Sequence, residues 1–349
     1  MGFGTQMLPL VARPGSVVTV TQELSQSMLP AAGISQNFAL GTMIYFRFVF
    51  AAITLMTTRG SFLGRMNPRT WMLFVLLWLT FSHTISAFPL RGGGYSFQMG
   101  VIDYSGGYVI HLSFDAAGFV GAYWIGPHLA KDREEARPNN ILCVLIGAGI
   151  PWTGWSGLNG GDTYAASAYT GVAVLSTNIC AVMNLLTGTV WDMIYFKEPS
   201  VIGVAQDVST GLVAITPAAG VVAGWSAICL GFVSGIISRL SINIMGKKVA
   251  YFRKIDETLG VFHTHTHGFA GFVGGFGTGL FTTVERCAAF GITNPGGTIA
   301  VNGKQVWLQL VGELPSSGGT SCGHLSSWYL PNTHFESVGN IRGGYAEAR

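Results

Sequence analysis

Long apolar stretches separated by short polar segments dominate the hydrophobic pattern of this chain. An α-helix needs about 20 consecutive apolar residues to cross a bilayer. Stretches of this kind begin after residue 42 and end before residue 283, and each predicts a transmembrane helix. The eight predicted segments are 43–64, 71–90, 103–126, 141–161, 166–196, 200–222, 224–245 and 258–282.

The segments on either side lack such a run. We predict a non-spanning N-terminal segment over residues 1–42 and a membrane domain over residues 43–282. From residue 283 to residue 349 the chain is rich in Gly, Ser, Asn and His. We expect this polar C-terminal tail to be unstructured or to lie outside the membrane.

The composition is that of an all-α integral membrane protein. Charged residues make up 10% of the chain and hydrophobic residues 49%, whereas soluble domains carry roughly 25% charged residues. Gly accounts for 49 of 349 residues, and small residues let membrane helices approach closely. No basic run is interleaved with aromatic residues, so we predict a polytopic helical bundle that binds membrane lipid and no nucleic acid.

Two apolar segments resemble each other. Ala117–Gly126 (AGFVGAYWIG) is similar to Ala270–Gly279 (AGFVGGFGTG), and a histidine precedes each copy. The copies are five predicted spans apart, and an odd number of spans inverts the second copy relative to the first. Inverted repeats around a site near the midplane are common in transporters. The alternative is chance similarity between two Gly-rich helices.

The loops between the segments predict an orientation. Lys and Arg of short loops lie on the cytoplasmic side, and here they occupy every second loop. Asp103 and Asp162 are then directed towards the outer face, and Arg91 is the exception, a basic residue in an outer loop.

Ionisable side chains recur in the third predicted segment. With about 3.6 residues per turn, Asp103, His111 and Asp115 are predicted to share one helix face. Such groups are costly in lipid and are tolerated where they line a pathway or pair with one another. The pattern predicts a transport pore, although Asp103 is also explained as an acidic residue at a helix N-terminus.

Four stretches resemble the ammonium transporter, methylammonium permease and Rhesus protein family, and within it the plant-type ammonium transporters. The resemblance covers about residues 40–285. Its motifs are Asp103–His111 (DYSGGYVIH), Gly154–Asp162 (GWSGLNGGD), Gly211–Gly220 (GLVAITPAAG) and Asp256–His265 (DETLGVFHTH).

The resemblance implies an ammonium transporter of the plasma membrane and no enzymatic activity. Each subunit of a homotrimer would recruit ammonium at an outer site, deprotonate it and pass ammonia through a histidine-lined apolar pore. No cofactor is implied. Two alternatives remain: a truncated inactive or regulatory paralogue, and a membrane-embedded metal-dependent enzyme that uses the histidine cluster.

The resemblance also assigns roles to positions of this sequence. Phe50 and His111 would line the pore, and Asp103 would be a structural or recruiting carboxylate. Trp155, Leu158, Asp162 and Thr216 would shape the outer substrate site, with Leu158 in place of a gate phenylalanine. Alternatively, Phe50 and Trp155 are plain core aromatics, and the Thr216 hydroxyl bonds back to its own helix.

The second pore histidine is ambiguous. Family spacing counted from Phe262 selects His265, which we prefer, whereas spacing counted back from Gly271 selects His267. Two residues turn a helix by about 200°, so only one of them can face the first pore histidine. His263 and His267 also suggest a metal site, but no third ligand has a suitable spacing, and we predict no bound metal.

The chain departs from the family pattern in several places. The family has eleven spans against about eight here, so we expect a chain truncated at both ends. Arg47 and Arg91 replace a glutamine and a tryptophan near the outer site, and Asp115 and Asp207 place charges inside predicted spans. We hypothesise that Arg91 repels the substrate cation and that Asp115 hinders passage of neutral ammonia.

Overall fold

The computed structural model forms a helical bundle preceded by two small antiparallel hairpins. In the hairpins β1 (Gln6–Leu8) pairs with β2 (Val11–Ala12), and β3 (Gln26–Ser27) pairs with β4 (Phe38–Ala39). The residues that the structure describes are 6–8, 11–12, 26–27, 38–63, 65–126, 140–164, 167–245, 248–249, 267–290, 292–294, 296–300 and 302–312.

Helices and the segments that connect them make up the rest of the described membrane domain, which confirms the all-α prediction for it. Among the described residues, π-helical segments at Trp78–His83, Gly107–Leu112 and Ser241–Met245 connect or extend the α-helices, and residues 305–312 form a further helix. The α-helices are α1 (Leu40–Phe62), α2 (Pro68–Leu77), α3 (Thr84–Arg91), α4 (Tyr95–Gln98), α5 (Ser113–Ile125), α6 (Ile141–Gly161), α7 (Ala168–Tyr195), α8 (Val201–Ile215), α9 (Gly224–Leu240), α10 (Phe269–Phe281) and α11 (Val284–Ala289).

Each of the eight predicted apolar segments contains a helix in the structure. Two helices, α8 and α10, are apolar but shorter than a full span, and α5 continues the π-helical segment Gly107–Leu112. Among the described residues, the helices long and apolar enough to cross a membrane are Gly41–Phe62, Pro68–Gln98, Ile141–Gly161, Ala168–Tyr195 and Gly224–Met245.

Side-chain caps set several helix starts. The side-chain oxygen of Asn140 accepts a hydrogen bond from the Cys143 amide (3.1 Å), and Ser200 caps α8 in the same way through the Gly203 amide (3.2 Å). Such caps satisfy backbone N–H groups that have no partner within the helix. The helix of the predicted segment 141–161 therefore begins directly after its capping residue, Asn140.

The third predicted segment starts its helix four residues later than expected. Gly106 has a φ of 90°, a left-handed conformation that glycine adopts readily. Asp103 lies before the helix, and its carboxylate accepts hydrogen bonds from the amides of Tyr108 and Val109, both at 3.2 Å. The prediction that Asp103 shares a helix face with His111 is therefore wrong, and the carboxylate caps the helix instead.

The chain leaves helical geometry again after α8. Residues 216–222 are all buried, and Pro217 contributes no amide hydrogen. The carbonyls of Thr216 and Pro217 accept hydrogen bonds from the amides of Ser105 and Tyr104, both at 3.1 Å. Irregular backbone at membrane depth requires such protein partners, so the two non-helical segments hold each other in place.

For the segment after residue 282 we expected either no structure or a position outside the membrane; the residues between 283 and 312 that the structure describes include helices, so the first alternative does not hold for them. Gln309 is fully buried, donates to the Ile102 carbonyl (2.7 Å) and accepts from the Ile102 amide (2.8 Å). Gln305 donates to the Gly100 carbonyl (2.9 Å). Polar side chains are buried here because they satisfy the irregular backbone before Asp103. Residues 313–349 lie outside the described residues.

Asp207, which the sequence suggested as a costly intramembrane charge, belongs to a buried ionic cluster. Arg239 Nε and Nη2 lie 3.0 Å and 2.6 Å from the two carboxylate oxygens of Asp207. Arg239 Nη2 also lies 3.2 Å from Asp192 Oδ2. The cluster connects α7, α8 and α9, and Gly188 leaves the space that the Asp207 carboxylate fills.

Replacing Arg239 with Met leaves two carboxylates buried without their cation. We expect a loss of about 3–5 kcal/mol in the free energy of unfolding, measured by thermal unfolding of the purified protein in detergent. Adding Asp207→Asn removes one of the two unpaired carboxylate charges and recovers part of the lost free energy of unfolding. Arg69→Met is the matched control, since Arg69 is exposed on α2, and it changes stability by less than about 0.5 kcal/mol. Equal effects of Arg239→Met and Arg69→Met would contradict this account.

Candidate functional site

Three of the predicted site residues meet beside the two irregular backbone segments. The Trp155 indole lies 5.2 Å from the His111 ring, with 12° between their planes. Trp155 Nε1 donates to Thr216 Oγ1 at 2.9 Å, and that hydroxyl donates to the Leu212 carbonyl at 2.7 Å. The Thr216 hydroxyl therefore bonds back to its own helix and also fixes the orientation of the Trp155 indole. Trp155 is held in one orientation, stacked on the histidine.

His111 faces a second histidine. The rings of His111 and His267 are 5.8 Å apart, and Phe114 lies edge-on to both, at 6.1 Å and 5.1 Å. Both histidines are buried. Neither ring nitrogen of His111 has a hydrogen-bond partner in the part of the chain that the structure describes. His263 and His265, the latter our preferred second pore histidine, lie outside the described residues.

Glycines bring α10 close enough to place His267. A Cβ atom on Gly275 would collide with the Tyr108 ring, and one on Gly274 would collide with the Ala214 carbonyl. On the facing segment, a Cβ on Gly107 would lie 2.6 Å from Pro217 Cδ. The Gly-rich pattern therefore marks backbone-to-backbone approach around the histidine pair.

Asp115 lies next to Gly268, the residue that follows the second histidine of the pair. Its side chain is buried, and a Cβ atom on Gly268 would collide with its carboxylate. Gly268 follows His267 in the chain. The carboxylate thus lies beside the backbone that carries the second histidine, whereas the sequence placed it one turn beyond His111.

Asp162 and Arg91 form a buried ion pair. Arg91 Nη2 lies 2.5 Å from Asp162 Oδ1, and Arg91 Nη1 donates to the carbonyls of Tyr104 (2.7 Å) and Asp103 (3.2 Å). Ser105 Oγ donates to the other Asp162 oxygen. The Arg91 charge is therefore matched within the protein, a pairing across 71 residues that no local sequence pattern signals.

Phe50 lies against cations of the chain itself. The guanidinium carbons of Arg91 and Arg47 are 5.5 Å and 5.8 Å from its ring centroid. Both arginines donate to the Tyr164 hydroxyl. Burial raises the pKa of the Tyr164 phenol, so it remains a neutral acceptor. Leu158 belongs to the apolar core cluster that contains Phe50 and Trp155.

Metal ligation finds no support in the described part of the chain. No group of three or more His, Cys, Asp or Glu side chains is arranged there to hold a metal ion. The rings of His111 and His267 lie 5.8 Å apart, and Phe114 contacts both of them.

Known proteins are similar to this chain in sequence and in fold. The family model of the Ammonium Transporter Family matches residues 1–331. Ammonium transporter 3 member 1 of Oryza sativa subsp. japonica is 49% identical over 83% of this chain and 61% of its own length. Ammonium transporter 2 of Arabidopsis thaliana is 48% identical over 82% of this chain and 60% of its own. The chain thus spans about three fifths of the length of these curated relatives.

Solved structures give the same result. The crystal structure of Saccharomyces cerevisiae Mep2 superposes with a TM-score of 0.77 and 26% sequence identity, covering 85% of this chain and 67% of that one. Fold, sequence and family model agree that this integral membrane protein belongs to the Ammonium Transporter Family.

Proposed function

We propose that this chain conducts ammonium across a membrane as a channel-like transporter. The observation that carries the proposal is the buried pair of His111 and His267, whose rings are 5.8 Å apart and in which His111 stacks on Trp155. Ionisable residues inside membrane proteins are rare and usually serve a pathway. The names of the curated relatives support ammonium as the substrate.

The proposed mechanism follows from the cost of charge in an apolar passage. An unpaired ion is strongly disfavoured there, so ammonium gives up one proton at the outer site and crosses as ammonia. Neutral imidazole has one nitrogen that donates and one that accepts. His111 and His267 can therefore take the released proton and pass it along, while ammonia moves beside them. Trp155 and Thr216 fix the outer end of this path.

We also propose the setting of the transporter: the plasma membrane, a lipid-facing bundle and a homotrimer. The apolar exposure of α6 supports a surface for lipid or subunits, since Leu142, Ile146 and Ile150 on it are more than half exposed. The family resemblance supports the trimer. Chemical cross-linking of the detergent-purified protein tests it, and a monomer alone would contradict it.

An inactive or regulatory paralogue is the second candidate. The guanidinium groups against Phe50 favour it, because the ring that would attract a substrate cation already contacts Arg47 and Arg91. Expression in yeast cells that lack their own ammonium carriers separates the two candidates. Growth on scarce ammonium with saturable uptake supports transport. If the cells do not grow although the protein is present in their membrane, the result supports the inactive or regulatory paralogue.

We predict that His267→Ala lowers ammonium uptake in those cells on the order of a hundredfold, the usual effect of losing a proton-transfer group. His265→Ala is the comparison variant: family spacing favoured His265 as the second pore histidine, whereas the ring contact between His111 and His267 favours His267, so we expect His265→Ala to retain most of the uptake. Uptake assays with labelled methylammonium on both variants, at equal membrane abundance, measure the difference. If His265→Ala abolishes uptake and His267→Ala does not, the assignment of the second pore histidine is reversed.

Removing the Asp115 charge should raise uptake several-fold. A carboxylate beside the histidine pair favours the protonated, positively charged form of the imidazole. A charged imidazole hinders the passage of neutral ammonia. Asp115→Asn and Asp115→Gly both remove the charge, and both should show the increase in the same assay. An increase in Asp115→Gly alone would assign the effect to space rather than charge, and unchanged uptake in both would contradict the hypothesis.

A further inference from the structure

A buried glutamine, Gln309, lies between the two segments that carry the candidate pore histidines. It belongs to the short helix of residues 305–312, far from His111 and His267 in the sequence. Its side chain is fully buried. The transport path proposed above does not include it.

The Gln309 carboxamide supplies hydrogen-bond partners to the backbone of Ile102. Its Oε1 accepts from the Ile102 amide at 2.8 Å, and its Nε2 donates to the Ile102 carbonyl at 2.7 Å. A carboxamide can make both bonds because it carries an acceptor oxygen and a donor nitrogen. Ile102 directly precedes Asp103, whose carboxylate caps the helix that carries His111. The start of this helix is thus anchored to Gln309.

The same glutamine contacts α10, the helix that follows His267. Gln309 Nε2 lies 3.5 Å from the Gly275 carbonyl, and the Tyr108 hydroxyl donates to the Gln309 carbonyl at 3.3 Å. A Cβ atom on Gly279 would lie 3.1 Å from Gln309 Cγ, so this glycine allows the close approach. Gly275 follows His267 by about two helical turns. Gln309 therefore joins the two histidine-bearing segments.

We propose that Gln309 is a positioning residue for proton transfer between His111 and His267. It acts through the backbone that it holds rather than by touching either ring. This role rests on the transport function proposed above. A misplacement of about 1 Å between reacting groups can cost on the order of a hundredfold in rate. Loss of the carboxamide leaves the Ile102 amide and carbonyl without these partners, and the helix start then shifts relative to α10.

Gln309→Met removes the polar group and keeps a side chain of similar length and shape. We expect the maximal rate of methylammonium uptake to fall on the order of tenfold, because the distance between the two imidazoles is no longer held. The KM should change little, since Trp155 and Thr216 of the outer site keep their mutual hydrogen bond. Uptake in cells that lack their own ammonium carriers, at equal membrane abundance, measures both values.

Gln309→Glu gives the reading that a purely apolar packing role would not produce. Ionised Glu only accepts hydrogen bonds, whereas protonated Glu donates and accepts as the carboxamide does. We therefore expect Gln309→Glu to resemble Gln309→Met at about pH 8. At about pH 5.5, where burial favours the neutral acid, its uptake relative to the unaltered protein should recover. Gln309→Met should show no such recovery.

Gln305→Met is the matched control. Gln305 is equally buried in the same helix, and its side chain bonds to Gly100, Asn294 and Asn302. We expect this variant to lower the thermal unfolding midpoint as Gln309→Met does, since both leave buried polar groups without partners. It should keep most of the uptake at both pH values.

Hydrogen exchange of the purified full chain in detergent tests the positioning without transport. Mass spectrometry follows the amides of residues 102–111, with each rate corrected for the intrinsic rate at that pH. The unaltered protein and Gln305→Met should protect these amides. Gln309→Met should lose protection there, and Gln309→Glu should regain it at the lower pH.

The outcomes separate this role from the transport function. Equal uptake by Gln309→Met and Gln305→Met overturns the role, as does a Gln309→Glu variant that follows Gln309→Met at every pH. If Gln309→Met does not reach the membrane, the pH series of Gln309→Glu decides. If the unaltered chain takes up no ammonium, the transport function fails and hydrogen exchange decides: protection lost only in Gln309→Met supports the positioning, and equal protection in both variants overturns it.

Discussion

Two stretches of irregular backbone, residues 99–106 and 216–222, lie buried within the bundle and position the rest of the candidate site. Backbone amides and carbonyls at that depth have no water to bind, so other protein groups must satisfy them. The carbonyls of Thr216 and Pro217 pair with the amides of Ser105 and Tyr104. The Asp103 carboxylate caps the following helix, and Gln309 binds the backbone before it. The position of His111 follows from these bonds.

The same constraint explains the charges inside the bundle. Arg239 is paired with Asp207 and Asp192, and Arg91 with Asp162. Each guanidinium joins elements far apart in sequence. A buried ion pair contributes little net stability compared with an apolar pair of similar shape. Removing one partner is costly, however, because it leaves a buried charge without its counter-ion. These clusters therefore fix which helices lie next to each other.

The sequence predicted the elements better than the contacts between them. Segment 141–161 was predicted to the residue, because an apolar run and its polar cap are both local features. The helix start at Gly107 was missed, since Asp103 fits a helix by spacing alone and only the φ of Gly106 reveals the break.

Long-range partners were missed for a different physical reason. The Arg91–Asp162 pair and the buried Gln305 and Gln309 depend on the tertiary fold, and hydrophobic periodicity carries no information about them. Trp155, Thr216 and His111 were assigned by resemblance, and the structure brings them together. The roles of these residues in transport remain proposals.

The central claim is that a chain of this length builds a conducting path around His111 and His267. Ammonium flux into liposomes that contain only the purified chain tests it most directly, because no other carrier contributes. The account predicts flux that saturates with ammonium concentration and is lost in the His111→Ala, His267→Ala double variant. Folded, membrane-inserted protein that gives no more flux than empty liposomes would contradict it.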